Sequence, residues 1–308
     1  MAIQQNDAGA DTGQEDRGYF FSGPPMQQRN KLLRNGNRVI NYYQTGVIIT
    51  ETARSPWRNA TLFAQGTVVK DAQDNLCQEV ALYETIDAEG DVTWSTMWRP
   101  PSGPVSLRLR SGTGKWLGIA GDGTILGWLK RADDHVMPEW KMNWKIDLEH
   151  CRGADVEAQI RGYANYDRGF SMHGPHVADF TKELANGLTL IANHQPFGVR
   201  ISENLNATSP RHYATAVGRG TTIRDNRRIL GDILLLEDTD PDGDIAWLFH
   251  EWWYTEAPGT GPASGYWYLG GTGKWKGITG VGKPLGRIRH RNDENNMLRV
   301  EIGWTVGE

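Results

Sequence analysis

Cysteine is nearly absent from this chain of 308 residues: only Cys77, in a strand-like pattern, and Cys151, between two repeats, occur, and two such residues make no disulfide framework. No run of about 18 apolar residues is present, which removes an ordinary membrane-spanning helix. The first sixteen residues, MAIQQNDAGADTGQED, lack the basic start and apolar centre of a secretory signal and read as a disordered polar tail. The cytoplasm is therefore the expected location, with room left for a leader already removed. Charge of one sign is lacking too. The net charge is -4, spread without long blocks, so electrostatics gives no reason to expect nucleic acid as a partner.

What the chain has in quantity is tryptophan and glycine, 13 and 37 residues. Glycine concentrates in GGTGKWKGITG, Gly270 to Gly280, which raises the question of a phosphate loop. Such a loop needs glycine five residues before its Gly-Lys pair and Ser or Thr after the lysine. Tyr268 and Trp275 stand there instead, and no helix start follows to hold a phosphate on its amides. The run is instead one copy of a repeat, because SGTGKWLGIAG, Ser111 to Gly121, echoes it.

The echo covers nearly the whole protein. Arg17-Gly18 aligns with Arg168-Gly169, Ser55-Pro56 with Ser209-Pro210, Asp87 to Trp94 (DAEGDVTW) with Asp240 to Trp247 (DPDGDIAW), and Trp144 with Trp304. The expected organisation is a tail over 1–16, a first domain over 17–150, a linker over 151–167 and a second domain over 168–308. Each half opens on a segment with proline near its start and Asn-Gly after its end, Pro24 to Arg34 and Pro175 to Ala185, which predicts a short helix. The rest reads as strand. In the second half the runs are Leu188–Glu203, Tyr213–Ile223, Ile229–Glu237, Ile245–Tyr254, Gly265–Leu269 and, after the glycine motif, Leu298–Val306. Seven or eight short strands with Gly, Asp and Asn at the turns predict an all-β chain of two tandem antiparallel barrels, with one short helix per repeat.

Gly-Thr-Gly-Lys-aromatic-x-Gly-Ile-x-Gly, preceded by an aromatic strand and an acidic Gly-Asp hairpin, resembles the small barrels of the allene oxide cyclase and dirigent type, within the broader lipocalin-like group. The resemblance rests on about ten residues, present in both halves. It departs from those proteins in the duplication and in the segment before each barrel. It implies a barrel with a lumen for a small hydrophobic molecule, and glycines that let strands kink and pass closely.

Candidate chemistry follows from comparing the halves. Of the eight histidines only His135 and His150 precede the boundary; His173, His176, His194, His212, His250 and His290 face Ser22, Pro25, Tyr43, Arg58, Met97 and Arg131. Histidine suits proton transfer near neutral pH, so an active site is expected in the second half. His173 and His176 with Asp179 and His194, and the acids of the two hairpins, fall short of a clear zinc or calcium set, so no metal or other cofactor is expected. Strand alternation, with the tryptophans of Val92, Trp94 and Trp98 taken as inward, places Ile245, Trp247, Phe249 and Glu251 in the lumen and His250 outside. Glu237, like Glu84, shares the apolar face of its strand, where a carboxyl has its charged form disfavoured. Tyr266 and Tyr268 replace Leu107 and Leu109, and Arg200 replaces Ile48, which converts an apolar pocket into one able to grip an oxygen.

These residues support a cofactor-independent isomerase, cyclase or hydro-lyase acting on a small hydrophobic oxygenated molecule. Glu237 or Glu251 would exchange the proton, with His212, Tyr266 and Tyr268 stabilising charge. Arg200, His194, Trp247, Phe249, His250 and Tyr254 would bind the substrate. Two other readings stand beside it: a non-catalytic carrier of an apolar ligand, and a pseudo-dimer within one chain whose first barrel serves as a packing partner, with further homo-oligomerisation open. In that last reading the aromatic strands around Trp247 and Tyr266 form the seam between barrels. A one-residue slip in register would exchange every inward residue with its outward neighbour.

Overall fold

A computed structural model describes residues 13–50, 52, 55–130, 136–147, 156–204, 208–226, 228–253, 264–289 and 296–307. His135, His150, Cys151, Tyr254 and His290, and all but the last few residues of the expected tail, lie outside them. Nine strands form the first half: β1 (Gln14–Ser22), β2 (Met26–Leu32), β3 (Arg38–Thr50), β4 (Thr61–Lys70), β5 (Leu76–Ile86), β6 (Val92–Arg99), β7 (Val105–Gly112), β8 (Ile119–Lys130) and β9 (Val136–Ile146). After the short helix α1 (Val156–Gly162) the second half repeats them as β10 (Asn165–His173), β11 (Val177–Glu183), β12 (Thr189–Ser202), β13 (Thr215–Arg224), β14 (Ile229–Thr239), β15 (Ile245–Trp253), β16 (Gly265–Gly271), β17 (Ile278–Arg289) and β18 (Asn296–Val306).

Each half is a closed eight-stranded antiparallel barrel. Closure is made by the first strand, which pairs on one side with the last (Gly18 opposite Trp140, Gly169 opposite Val300) and on the other with the third (Gly18 opposite Thr50, Gly169 opposite Ser202). A side chain cannot fit at that crossing. A Cβ on Gly18 would stand 2.1 Å from Ile49 O, and one on Gly169 2.1 Å from Ile201 O, which is why Arg-Gly recurs there. β1 begins at Gln14, so the last residues assigned to the tail already belong to the barrel wall.

The segments expected to be helices are strands. β2 and β11 pair with the N-terminal parts of the long β3 and β12, beyond the stretch that closes each barrel. Asn-Gly closes a hairpin here and does not cap a helix: Gly36 has φ 84°, and Leu33 N donates to Asn37 O at 2.7 Å. Each of these hairpin turns reaches across to the other barrel, where Asn35 Nδ2 donates to Gly243 O and Asn186 Nδ2 to Gly90 O, both at 2.9 Å.

The glycine motif is a structural lock. Thr113 and Thr272 accept the amides of Val92 and Ile245 at 2.8 and 2.9 Å, and Trp116 and Trp275 donate Nε1 to Asp87 and Asp240 at 2.8 and 2.9 Å. Lys115 and Lys274 bridge to the same aspartates at 2.9 and 2.8 Å. Gly114 and Gly273 turn the chain with φ 53° and 49°, where a Cβ would strike Asp91 or Asp244 at 2.0 Å. Two sequence signals that stand apart in the chain, the acidic hairpin and the Gly-Thr-Gly-Lys-Trp run, are thus the two sides of one joint.

Three apolar clusters organise the molecule. Two are lumens. The third lies between the barrels, from Val80, Leu82, Val92 and Trp94 of the first to Ile233, Leu235, Ile245, Trp247, Phe249 and Trp253 of the second. Edge-to-face pairs Trp94–Trp253 (5.9 Å), Trp98–Trp247 (5.6 Å) and Phe63–Phe180 (4.7 Å) cross this seam.

Candidate functional site: the second lumen

The seam corrects the expected inward face. Ile245, Trp247, Phe249 and Glu251, together with Val92, Trp94 and Trp98, point out of their barrels into the seam, while Ala246, Leu248 and His250 point into the second lumen. Glu237 and Glu84 lie on the seam face as well. Alternation sorts residues into two faces but does not say which face is inside, and here both faces are covered by apolar groups. Glu237 Oε2 accepts from Thr67 Oγ1 at 2.8 Å and Asn41 Nδ2 at 3.4 Å, and Glu251 Oε1 accepts from Ser111 Oγ at 2.6 Å, all from the other barrel. Neither carboxyl faces a lumen. Of the substrate-binding residues, His194 pairs with Asp179 on the β11–β12 hairpin at 2.9 Å, Trp247 and Phe249 belong to the seam, and Tyr254 lies outside the described residues.

The two lumens differ in kind. The first is packed by Phe20, Ile48, Trp57, Met97, Leu107, Leu109 and Trp140, with Trp57 edge-on to Trp140 at 5.0 Å. The space left is about 10 Å³, enough for one water at most. At the equivalent places the second lumen carries Ser171, Arg200, Arg211, His250, Tyr266 and Tyr268, above an apolar floor of Leu234, Leu236, Leu248, Trp275, Val300, Ile302 and Trp304.

These polar groups form one cluster. Arg200, 0% exposed, donates Nε to Asp238 Oδ1 at 3.0 Å, and Arg211 Nη1 stands 3.7 Å from Asp238 Oδ2. Arg211 Nη2 also donates to Ser171 Oγ. The Arg211 guanidinium lies 5.9 Å from the ring of Tyr266, which stacks on His250 at 4.5 Å and 14°. Tyr268 shares the face of Tyr266, two residues on along β16. A directed file leads outward: Arg200 Nη1 donates to His173 Nε2 at 3.3 Å, His173 Nδ1 to Gln195 Oε1 at 2.8 Å, and Gln195 Nε2 to His176 at the exposed end. His212 follows Arg211 in the turn before β13, its ring 4.3 Å from that of Tyr213.

Five polar atoms of this buried cluster make no hydrogen bond within the protein: Arg200 Nη2, Arg211 Nη1, which has only the longer ion-pair contact to Asp238, His250 Nε2 and the hydroxyls of Tyr266 and Tyr268. Buried polar atoms in native proteins are ordinarily satisfied, by solvent or ligand where not by protein. Burial, aided by the charge of Arg200, pushes His250 down to about 3 and His173 well below the usual histidine range, so both imidazoles are neutral. Burial also raises both tyrosines, which stay as phenols, and lowers Arg200. Among the described residues Asp238 is the one carboxylate within 4 Å of either guanidinium. Asp167, the other inward acid, takes Ser202 Oγ at 2.7 Å. Two guanidinium groups sharing one carboxylate, beside two phenol donors, make a site for an anionic oxygen group.

Arg200, Tyr266 and Tyr268 are therefore brought together as expected, and His250 joins them from the face thought to be outside. Arg211, Asp238 and Gln195 were missed, and His173, considered as a metal ligand, stands between Arg200 and Gln195 instead. Arg211 stands where the first half has Trp57 and Asp238 where it has Thr85, and this change from uncharged to charged between copies was a signal available in the sequence. No group of three or more His, Cys, Asp or Glu is placed to hold a metal among the described residues. Among them, too, no helix is long and apolar enough to cross a membrane. Comparison of the chain with family models, with curated proteins and with solved structures returned no match.

Proposed function

We propose that the second barrel binds a small amphipathic molecule with an anionic oxygen group, its carboxylate or equivalent held by Arg200 and Arg211 and its apolar body against Leu234, Leu248 and Val300. The observation that carries this reading is the convergence of unpartnered polar atoms in one lumen whose twin is filled with apolar side chains. The likeness of the glycine motif to allene oxide cyclase and dirigent barrels bears on architecture, because that motif locks a hairpin and gives the lumens only apolar packing, through Trp116 and Trp275. Acid-base turnover of the bound molecule, by isomerisation, cyclisation or movement of water, is the second reading. It would draw on the neutral His250 imidazole and the Tyr266 phenol, whose rings stack and whose Nε2 and hydroxyl both make no hydrogen bond within the protein, leaving each for a bound molecule. Glu237 and Glu251 have no part in it.

The test exchanges the second lumen for the first. A variant carrying Ser171→Phe, Arg200→Ile, Arg211→Trp, Asp238→Thr, His250→Met, Tyr266→Leu and Tyr268→Leu is titrated calorimetrically against medium-chain aliphatic carboxylates, beside the parent chain. The parent is expected to bind carboxylates and to ignore the matching alcohols, and the folded variant to lose that binding. Equal binding by both would sink the proposal.

A further inference from the structure

A second site lies outside both lumens, where β6, β7 and β8 of the first barrel meet β16 of the second. A groove of about 220 Å³ opens there, lined by Thr96, Trp98, Ser106, Arg108, Arg110 and Leu269. That is room for about seven waters, and it is smaller than the pockets that hold drug-sized ligands. The duplication shows that arginine is not needed to build this wall: at the places of Arg108 and Arg110 the second half carries Trp267 and Leu269.

The two arginines are not equivalent. Arg108, at the exposed rim, is paired with Asp122 at 2.7 Å. Arg110 sits deeper. Its Nε donates to Thr96 Oγ1 at 2.9 Å and its guanidinium lies 5.7 Å from the ring of Phe249, but among the described residues no carboxylate reaches it within 4.0 Å. Burial, with the charge of Arg108, pushes Arg110 down to about 9, which is the mark of a guanidinium short of compensation. Asp122, on the groove wall but paired with Arg108, and Glu251, within the seam, both act on it from beyond 4.0 Å, and burial raises Glu251 to about 7, so each supplies only part of a counter-charge at neutral pH. A half-buried cation without an ion pair, on the wall of an open groove, is a place where an anion gains more than in water.

We propose that this seam groove is a binding site for a compact anion with a flat apolar body, an aryl carboxylate in chemical class, its oxygens on Arg110 and its ring between Trp98 and Leu269. Thr96 borders the charged end and Ser106, opposite Trp98, the ring end, and the pairing of Arg108 with Asp122 leaves Arg110 as the residue that selects for negative charge. Because the groove is built by both barrels, the site exists only when they are docked. It is independent of the lumen.

Two measurements on the full chain test this. Crystals soaked with 4-bromobenzoate are expected to show an anomalous bromine peak between Trp98 and Leu269; a peak confined to the second lumen, or none, overturns the proposal. In solution, calorimetric titration with benzoate of the chain whose second lumen has been exchanged as above is expected to weaken about tenfold or more when Arg110→Gln is added, the loss of one charge-assisted contact, and less with Arg110→Lys. Should Arg110→Gln fail to fold, Ser106→Trp fills the groove from its exposed lip and is expected to abolish the same binding. Unchanged affinity in a folded variant of either kind overturns the assignment.

Discussion

Gln65 and Arg219 occupy the same place in the two halves, and each crosses the seam to the same carbonyl of the other half. Gln65 Nε2 donates to Gly220 O at 3.1 Å, and Arg219 Nη1 donates to Gly66 O at 3.2 Å. The barrels are therefore related by a local two-fold axis through the seam, down to individual hydrogen bonds. Chemistry breaks the symmetry that geometry keeps. Thr67 Oγ1 accepts from Arg219 at 2.9 Å and donates to Glu237 at 2.8 Å, so Glu237 stands near a guanidinium. Its twin Glu84 stands by an uncharged amide, and burial raises it to about 8, against the weaker pull of Thr221 and Gln65.

Stability should therefore fall as pH rises through the neutral range. The native state keeps the Glu84 proton up to about pH 8, whereas an unfolded carboxyl releases it near its ordinary value of 4.5. Between those limits the unfolded state binds fewer protons, and the protein loses stability until the slope ends above pH 8. Glu251, raised by burial to about 7, adds to the same slope. Urea unfolding across pH 5 to 9 should show Glu84→Gln close to the parent at pH 5 and more stable by about 1–3 kcal/mol at the alkaline end. Parallel curves for the two proteins would contradict a protonated Glu84.

Breaking the lumen ion pair should cost far more than removing it whole. Asp238→Asn leaves Arg200 and Arg211 without their shared carboxylate in a buried site, and a loss of about 3–5 kcal/mol is expected. The triple change Arg200→Ile, Arg211→Trp and Asp238→Thr restores the first-half residues and should come within about 1–2 kcal/mol of the parent. Denaturant midpoints decide between them, and equal losses would mean that the twin packing does not transfer.

Barrel closure should be sensitive at two glycines and tolerant at two others. Gly18→Ala and Gly169→Ala place a methyl against a neighbouring carbonyl and should each destabilise by roughly 2 kcal/mol or more. Gly127→Ala and Gly286→Ala, in β8 and β17, meet nothing within 4 Å and should be near neutral. Melting temperatures of the four variants provide the comparison.

A half expressed alone should not remain single. Residues 160–308 would expose Trp247, Phe249 and Trp253, which the first barrel covers, and the local two-fold geometry offers a second copy of the same half as a substitute. Sedimentation should show a dimer or larger species. A stable monomer that still binds its ligand would show that the first barrel is dispensable as a cover.

The barrel class was legible because strand content, turn residues and duplication all agree. The second-half runs from Leu188 to Leu269 match β12 to β16, and Leu298–Val306 matches β18, to within a few residues. Two things were not. Asn35-Gly36 serves a hairpin turn or a helix end equally well, and only the pairing of β2 with β3 distinguishes them. The inward face was hidden because Trp94 and Trp247 are as apolar as the lumen residues Leu109 and Leu248, so hydrophobicity carries no sign when a seam covers the outside. Tyr266, Tyr268 and Arg200 were found because the halves could be compared directly, and the same comparison carried through Trp57 and Thr85 leads to Arg211 and Asp238.

Joining the two barrels in one chain has a consequence for how they can change. In a dimer of identical subunits every substitution is made twice, so a charge introduced into one lumen appears in both, and its destabilisation is doubled. Here Trp57 and Ile48 keep one lumen apolar while Arg211 and Arg200, at the corresponding places, put charge into the other. The cost of burying those charged groups falls once per molecule, on one lumen, while the apolar twin across the seam carries none of it.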